Sequence, residues 1–315
     1  MPFELVIDIL SRLPVKSLGR FKCVSKTWLS LISSHEFIKT HLAVASGRDD
    51  YEHHRLMFTA FGHRGRWLQI CSLNPLLYPA SSSPKEFNVD SEVKSYHYIT
   101  GSCNGLVCIE IDRAYIDPRK AKQLPDAGGF PSFGFGYDKL NDDYKEVGAF
   151  QIDNNITIKV HSLKNDLWHW VEGGKIEGRI IRWPKYPLQY AGGKFHWFVM
   201  DGKCNGFNVV THKIASFDLA DETYVEMDYP QMLGQMTMWG LVTLDLEPWE
   251  TAFPYGLCIL KTYCKLVGSL RNCDILFVCH GRLFLYDQKT NTSRGYPQIG
   301  DFGQATLYVE SLVSP

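Results

Sequence analysis

Helical periodicity in this chain stops near residue 45, and that boundary limits the possible folds more than any other feature. Leu5, Val6, Ile9, Leu10 and Leu13 recur at three- and four-residue steps, the stripe of an amphipathic helix. Pro2 suits a first helical turn, and Glu4 and Asp8 lie where the helix dipole favours acids. Pro14 ends that helix, because the residue before a proline is pushed out of the α region. A second pattern runs through Val15, Leu18, Phe21 and Val24, and a third through Trp28, Leu31 and Ile32. A last helix is predicted over 36–45, with Phe37, Ile38 and Leu42 turned inward. Lys16, Arg20, Lys22 and Lys26 interleave with these residues and read as a solvated face. A unit this small cannot bury much surface by itself. Its large apolar side chains need cover, either from the rest of the chain or from another protein. The polar stretch 47–54 that follows has little to pack and reads as a linker, which favours a partner.

Past residue 55 the pattern changes to short apolar runs closed by Gly, Pro, Asn and Asp. With 26 Gly, 15 Pro and 13 % aromatic residues, the chain favours short strands and turns over long helices. One hairpin pattern recurs four times, at 114–125, 158–170, 214–230 and 283–297, aligned on Asp117, Ser162, Asp218 and Asp287. A turn of small residues leading into an apolar strand precedes several of them, at 101–109, 192–200 and 279–286. Hairpins at a period of roughly fifty residues predict propeller blades of the kelch kind. An irregular β-sandwich is the alternative. The expected fold class is therefore α+β multidomain: a small all-α unit, then an all-β, propeller-like one. The expected boundaries are 1–45, a linker at 46–56, and 57–315.

Charge and cysteine usage narrow the function. The 33 basic and 34 acidic residues leave a net charge of −1, which gives no electrostatic case for binding nucleic acid. Nine cysteines, mostly in apolar runs and without a Cys-x-x-Cys pair, suit buried free thiols better than a disulfide framework or a zinc site. The opening Met1-Pro2-Phe3-Glu4 lacks the basic start of a signal peptide, and no window approaches the length of a membrane span. An intracellular protein, in the cytoplasm or nucleus, is expected, with neither nucleic acid nor membrane as partner.

No catalytic constellation stands out. Phe133-Gly134-Phe135-Gly136-Tyr137 has a Gly-x-Gly without the third glycine and helix of a dinucleotide site, and reads as an edge strand with close backbone packing. Asn141-Asp142-Asp143 lacks the spacing of a calcium loop and reads as a hairpin turn. His53, His54, His161 and His169 have no carboxylate or cysteine at ligand spacing. Met232, Met236 and Met238, with Trp239, read as buried filler, with an adaptable binding surface as the alternative.

The residues Pro2 to Leu10, Leu13-Pro14, Val15-Lys16-Ser17-Leu18, Arg20-Phe21 and Trp28, then Leu31-Ile32 and Phe37, resemble the F-box motif in its plant form. Met1-Pro2 stands where that motif usually carries Leu-Pro, so the motif is expected to begin at the first residue. The segments 101–109, 133–138 with 142–145, 160–165 with Trp168, 195–197, 216–219 and 308–315 look like the F-box-associated domain of plant F-box proteins. Two departures stand out. Ala114-Tyr115-Ile116-Asp117-Pro118 replaces the family's Trp-Asn-Pro, and 240–271 is irregular and short by part of a blade.

The resemblance implies a non-catalytic substrate receptor of an SCF-type ubiquitin ligase, with no cofactor and no metal. Its helices would dock on a Skp-family adaptor and, through it, on cullin and RING subunits, while the β unit captures an unknown target protein. Pro2, Leu5, Ile9, Leu10, Leu13, Pro14, Leu18, Phe21, Val24 and Trp28 are the expected adaptor interface or F-box core, undivided between the two roles. Two alternatives remain. One is a carbohydrate- or small-ligand-binding, or hydrolytic, propeller using Trp168, Trp170, Trp183 and Trp197. The other is an F-box protein whose substrate domain does not function.

Overall fold

A computed structural model describes residues 3–48, 50–62, 65–77, 87–88, 98–110, 114–117, 120–129, 131–181, 187–201, 212–228, 264–270, 275–279, 282–287, 290, 292–296 and 302–314. Four helices open the chain: α1 (Phe3–Ser11), α2 (Val15–Phe21), α3 (Lys26–Ser33) and α4 (His35–Ser46). Local chemistry sets their ends. Pro14 separates α1 from α2, and its carbonyl accepts from the amides of Ser17 and Leu18. Ser25 caps α3 by accepting from the Trp28 amide at 3.1 Å. Ser34 serves two helices, donating to the Leu31 carbonyl at 2.8 Å and accepting from the Phe37 amide at 3.3 Å. Leu10, Val15, Leu18, Ile32 and Phe37 meet in one core, flanked by Val6, Ile7, Leu13, Phe21, Trp28, Leu31 and Ile38. Leu312 joins that core from the far end of the sequence.

The segment between helices and strands is shorter and better packed than the linker read at 46–56. Ser46 ends α4 and His54 already lies in the first strand. Tyr51 and His53 are buried, and Asp50 pairs with Arg48 while its carbonyl accepts from Asn74 Nδ2 at 2.5 Å.

Everything after it is built from antiparallel strands, with one short helix, α5 (Asn74–Leu77). In chain order they are β1 (His54–Gly62), β2 (Gly65–Ser72), β3 (Phe87–Asn88), β4 (Tyr98–Cys103), β5 (Leu106–Glu110), β6 (Ala114–Asp117), β7 (Lys120–Gln123) and β8 (Ser132–Asp138). Next come β9 (Asp143–Ile152), β10 (Asn155–Ser162), β11 (Leu167–Glu177), β12 (Arg179–Ile181), β13 (Gln189–Ala191), β14 (Lys194–Asp201), β15 (His212–Asp218) and β16 (Tyr224–Asp228). The last are β17 (Cys264–Ser269), β18 (Ile275–Cys279), β19 (Arg282–Asp287), β20 (Thr292–Tyr296) and β21 (Phe302–Val309).

These strands form five separate sheets: β21-β1-β2-β3, β4 to β7, β8 to β11, β12 to β16, and β17 to β20. The four recurring hairpins of the sequence are the last two strands of four of these sheets. Their shared polar residue has a physical reason. Asp218 Oδ1 accepts the Ala220 amide at 2.9 Å, Asp287 Oδ1 the Thr290 amide at 3.2 Å, and Ser162 Oγ the Asn165 amide at 3.2 Å. Each ends a strand and fixes the turn that follows.

First strands of neighbouring sheets touch in a row, β17 to β21, β21 to β4, β4 to β8 and β8 to β13. Apolar cores fill the spaces between sheets. Leu56, Phe58 and Cys71 meet Leu276, Val278 and Leu283; Met57 and Ile70 meet Ile99, Val107 and Ile109; Leu106 and Cys108 meet Phe135. Val147, Ile158 and Val160 meet Phe195, Trp197 and Phe217. Blades packed face to face around a row of first strands make the β unit propeller-like, and together with the helices give the α+β class expected. Strand β21 pairs with β1, from His54 opposite Val309 to Ala60 opposite Phe302, so the last strand completes the first sheet.

In the 133–137 run, Gly134 and Gly136 lie in β8, an edge strand. A Cβ on Gly134 would sit 2.5 Å from the Phe195 ring, and one on Gly136 2.6 Å from Tyr190. Asp142 and Asp143 bound the β8–β9 hairpin turn, as read from sequence. Of the irregular stretch 240–271, Cys264–Ser269 is a regular strand, and 240–263 and Arg271 lie outside the described residues. Met232, Met236, Met238 and Trp239 do too.

Candidate functional site

Burial divides the ten apolar positions that the sequence left together. Leu10 and Leu18 are core, and Leu13, Phe21 and Trp28 lie half-buried against it, with Phe21 and Trp28 edge to face at 5.3 Å. Leu5, Ile9 and Val24 are exposed instead, at 51, 50 and 64 %, and Pro14 is exposed as well. Pro2 lies outside the described residues. Leu29, 48 % exposed, belongs with the outward group and was missed. Its signal was present, since a helix that turns Trp28, Leu31 and Ile32 inward leaves Leu29 on the other side. Leu5 and Ile9 stand one turn apart on α1, away from Leu10. Four large apolar side chains at half exposure or more on a 46-residue unit are protein-binding material.

Helix α4 joins this unit to the strands. Buried His41 places Nε2 2.9 Å from the Leu13 carbonyl and packs its ring against Phe37 and, at 6.0 Å, against His53. Burial pushes His53 below its ordinary value, and His41 and Arg48 add to that. Nearer its start, α4 reaches the β8–β9 turn, with Lys39 Nζ 3.0 Å and His35 Nε2 3.2 Å from Asp142. The Tyr137 hydroxyl also donates to Asp142, and with Lys39 it holds that carboxyl at about 2.

The β unit offers little chemistry. A cavity of about 430 Å³ opens among the turns at Cys103, Tyr137, Tyr190, Gly193 and Leu219. Its carboxylates are already engaged, Asp138 by Lys145 at 2.9 Å and Asp218 by Lys194 at 3.0 Å. Burial pushes the Cys103 thiol up to about 12, which keeps it protonated and a poor nucleophile. Two histidines gain carboxylate neighbours that sequence spacing hid, His169 with Glu222 at 2.7 Å and His161 with Asp166 at 3.3 Å. Among the described residues no group of three metal-ligating side chains forms.

The tryptophan platform expected of a sugar-binding propeller does not assemble. Trp197 is buried between sheets, Trp168 donates its indole N–H to the Pro125 carbonyl at 2.8 Å, and Trp183 lies outside the described residues. Trp170 is exposed, but Lys159 Nζ lies 4.4 Å from its ring centroid. Trp197 and Trp168 are drawn inward because their blades need large side chains between sheets.

Residues 1–40 match the family model described as F-box domain. The chain is an F-box protein. Relatives in Arabidopsis thaliana include F-box/kelch-repeat protein At3g23880, 26 % identical over 84 % of this F-box chain and 72 % of its own length. F-box protein CPR1 is 28 % identical over 74 % of this chain and 61 % of its own. Putative F-box protein At1g33530 is 28 % identical over 76 % and 54 %. This F-box chain thus spans between about half and three quarters of these relatives. Solved structures with a similar course are the nidogen/laminin complex (7 % identity, TM-score 0.40, 83 % of each chain) and TolB from Acinetobacter baumannii (10 %, 0.38, 82 % of this chain and 57 % of that one). At such scores neither likeness carries weight, and the propeller-like reading of the F-box protein's β unit rests on its own sheets.

Proposed function

We propose that this F-box protein is a substrate-receptor subunit of an SCF-type ubiquitin ligase. The observation that carries the proposal is the outward apolar set Leu5, Ile9, Val24 and Leu29 on a helical unit whose own core is already filled. That set would seat on a Skp-family adaptor, with Pro14 at its margin, and through the adaptor on cullin and RING subunits. The propeller-like unit would hold a target protein, in the cytoplasm or nucleus. Catalysis would then be by proximity: a target lysine is held near the thioester of a charged conjugating enzyme, and this chain contributes no acid, base or nucleophile. The engaged carboxylates and the protonated Cys103 support that non-catalytic part.

Co-expression of the full chain with a Skp-family adaptor tests the proposal. The wild-type chain should co-purify with the adaptor, and Val24→Asp should be lost from the complex while remaining folded. Absence of a wild-type complex, or an undiminished Val24→Asp complex, would contradict it.

A further inference from the structure

We infer that Glu310–Ser314 is a clasp that completes the F-box and fixes it to the β unit, so that the F-box is a discontinuous unit ending at Leu312. The inference does not depend on adaptor binding. Consecutive side chains of an extended segment point to opposite sides, and here the two sides belong to different units. Leu312, 8 % exposed, closes the helical core beside Leu10, Val15, Leu18, Ile32 and Phe37. Its neighbour Val313 packs instead with Leu106, Cys108, Leu124 and Phe135, the space between the second and third sheets.

The residues before it are held by the β unit at several points. The Glu310 amide donates to the His53 carbonyl at 2.8 Å, and its carboxylate accepts from Arg55 Nε at 3.0 Å. Buried Ser311 donates to the Asn104 carbonyl at 2.9 Å, and its Oγ accepts the Val313 amide at 3.2 Å. Gly105 provides the room for this: at φ +86° it has the left-handed backbone that glycine tolerates, and a Cβ there would collide with the Ser311 side chain. His41 against His53 and Lys39 on Asp142 add two further points along α4.

The physical consequence is twofold. The helical unit cannot separate from the strands without opening a hole in its own core, which explains how so small a unit is packed at all. The outward face of α1 is also held at one orientation to the blades, because α1 packs on α4 and α4 on β21.

Hydrogen exchange on the full chain tests this. Leu312→Ala should raise amide exchange through α2, α3 and α4 on the order of tenfold, while β9 and β10 stay within about twofold of wild type. Ser311→Ala, a milder change, should give the same pattern at smaller amplitude and guards against a Leu312→Ala chain that fails to fold. Wild-type exchange in α2–α4 of the Leu312→Ala chain would overturn the inference. So would equal acceleration of helices and blades in both variants, since Leu312 would then serve the β unit alone.

Discussion

The helical unit and the β unit solve the same problem, burial of apolar surface, at different ranges. Every blade space is closed by neighbouring sheets, as where Val160 meets Phe217, whereas the helical core takes its last side chain, Leu312, from beyond the final strand. A small unit can therefore be written in a short motif and yet depend on a residue nearly 300 positions away. Local legibility and self-sufficiency are separate properties.

Substitutions can break that contrast, beginning with the largest effect. Phe217→Ala, at a fully buried site between the third and fourth sheets, should cost about 3–5 kcal/mol and unfold the β unit in thermal melting. Because the helices lean on that unit, both should melt together. Leu18→Ala should cost about 2–5 kcal/mol, but here the helices should melt first and leave the blades folded, seen as a separate transition in far-UV circular dichroism. Gly134→Ala sharpens the comparison inside the β unit. Its Cβ would press on the Phe195 ring, costing about 1–3 kcal/mol in denaturant unfolding, with no earlier loss of helix.

Acid should act on the joint. Burial holds the folded-state value of His53 below 6.5, with His41, Arg48 and Arg55 lowering it and Glu310 opposing them. Its contribution to stability is complete above pH 6.5 and is lost as pH falls through the lower, folded-state value. Exchange in α4 should therefore rise as pH drops below about 6 after correction for intrinsic rates, and a His53→Asn chain should lack that step. Smallest of all, Lys39→Ala removes a half-exposed pair with Asp142 and should shift stability by about 0.2–1 kcal/mol, reduced further by salt.

Much of this architecture was legible residue by residue. Three- and four-residue spacing, Ser25, Ser34 and Pro14 specify the helices locally, and polar turn residues at Ser162, Asp218 and Asp287 mark the hairpins. Pairing of β21 with β1 was not legible, since His54 opposite Val309 joins residues that share no local signal. The segment 47–54 looked loose because it is polar, but Tyr51 and His53 bury against residues supplied from elsewhere. Trp197 and Trp168 misled for a related reason: whether an aromatic in a strand faces a ligand or a neighbouring blade depends on how blades stack. At the candidate site, composition found the right residues, and only packing could separate Leu10 and Leu18 from Leu5, Ile9, Val24 and Leu29.

That separation is the central claim, and calorimetric titration of a purified Skp-family adaptor into the full chain tests it most directly. Wild type should bind, and the double variant Leu5→Asp/Ile9→Asp should lose at least about tenfold in affinity, equivalent to about 1.4 kcal/mol, with its melting temperature unchanged. Equal binding by wild type and the double variant would contradict the claim, as would a loss that appears only together with a lowered melting temperature.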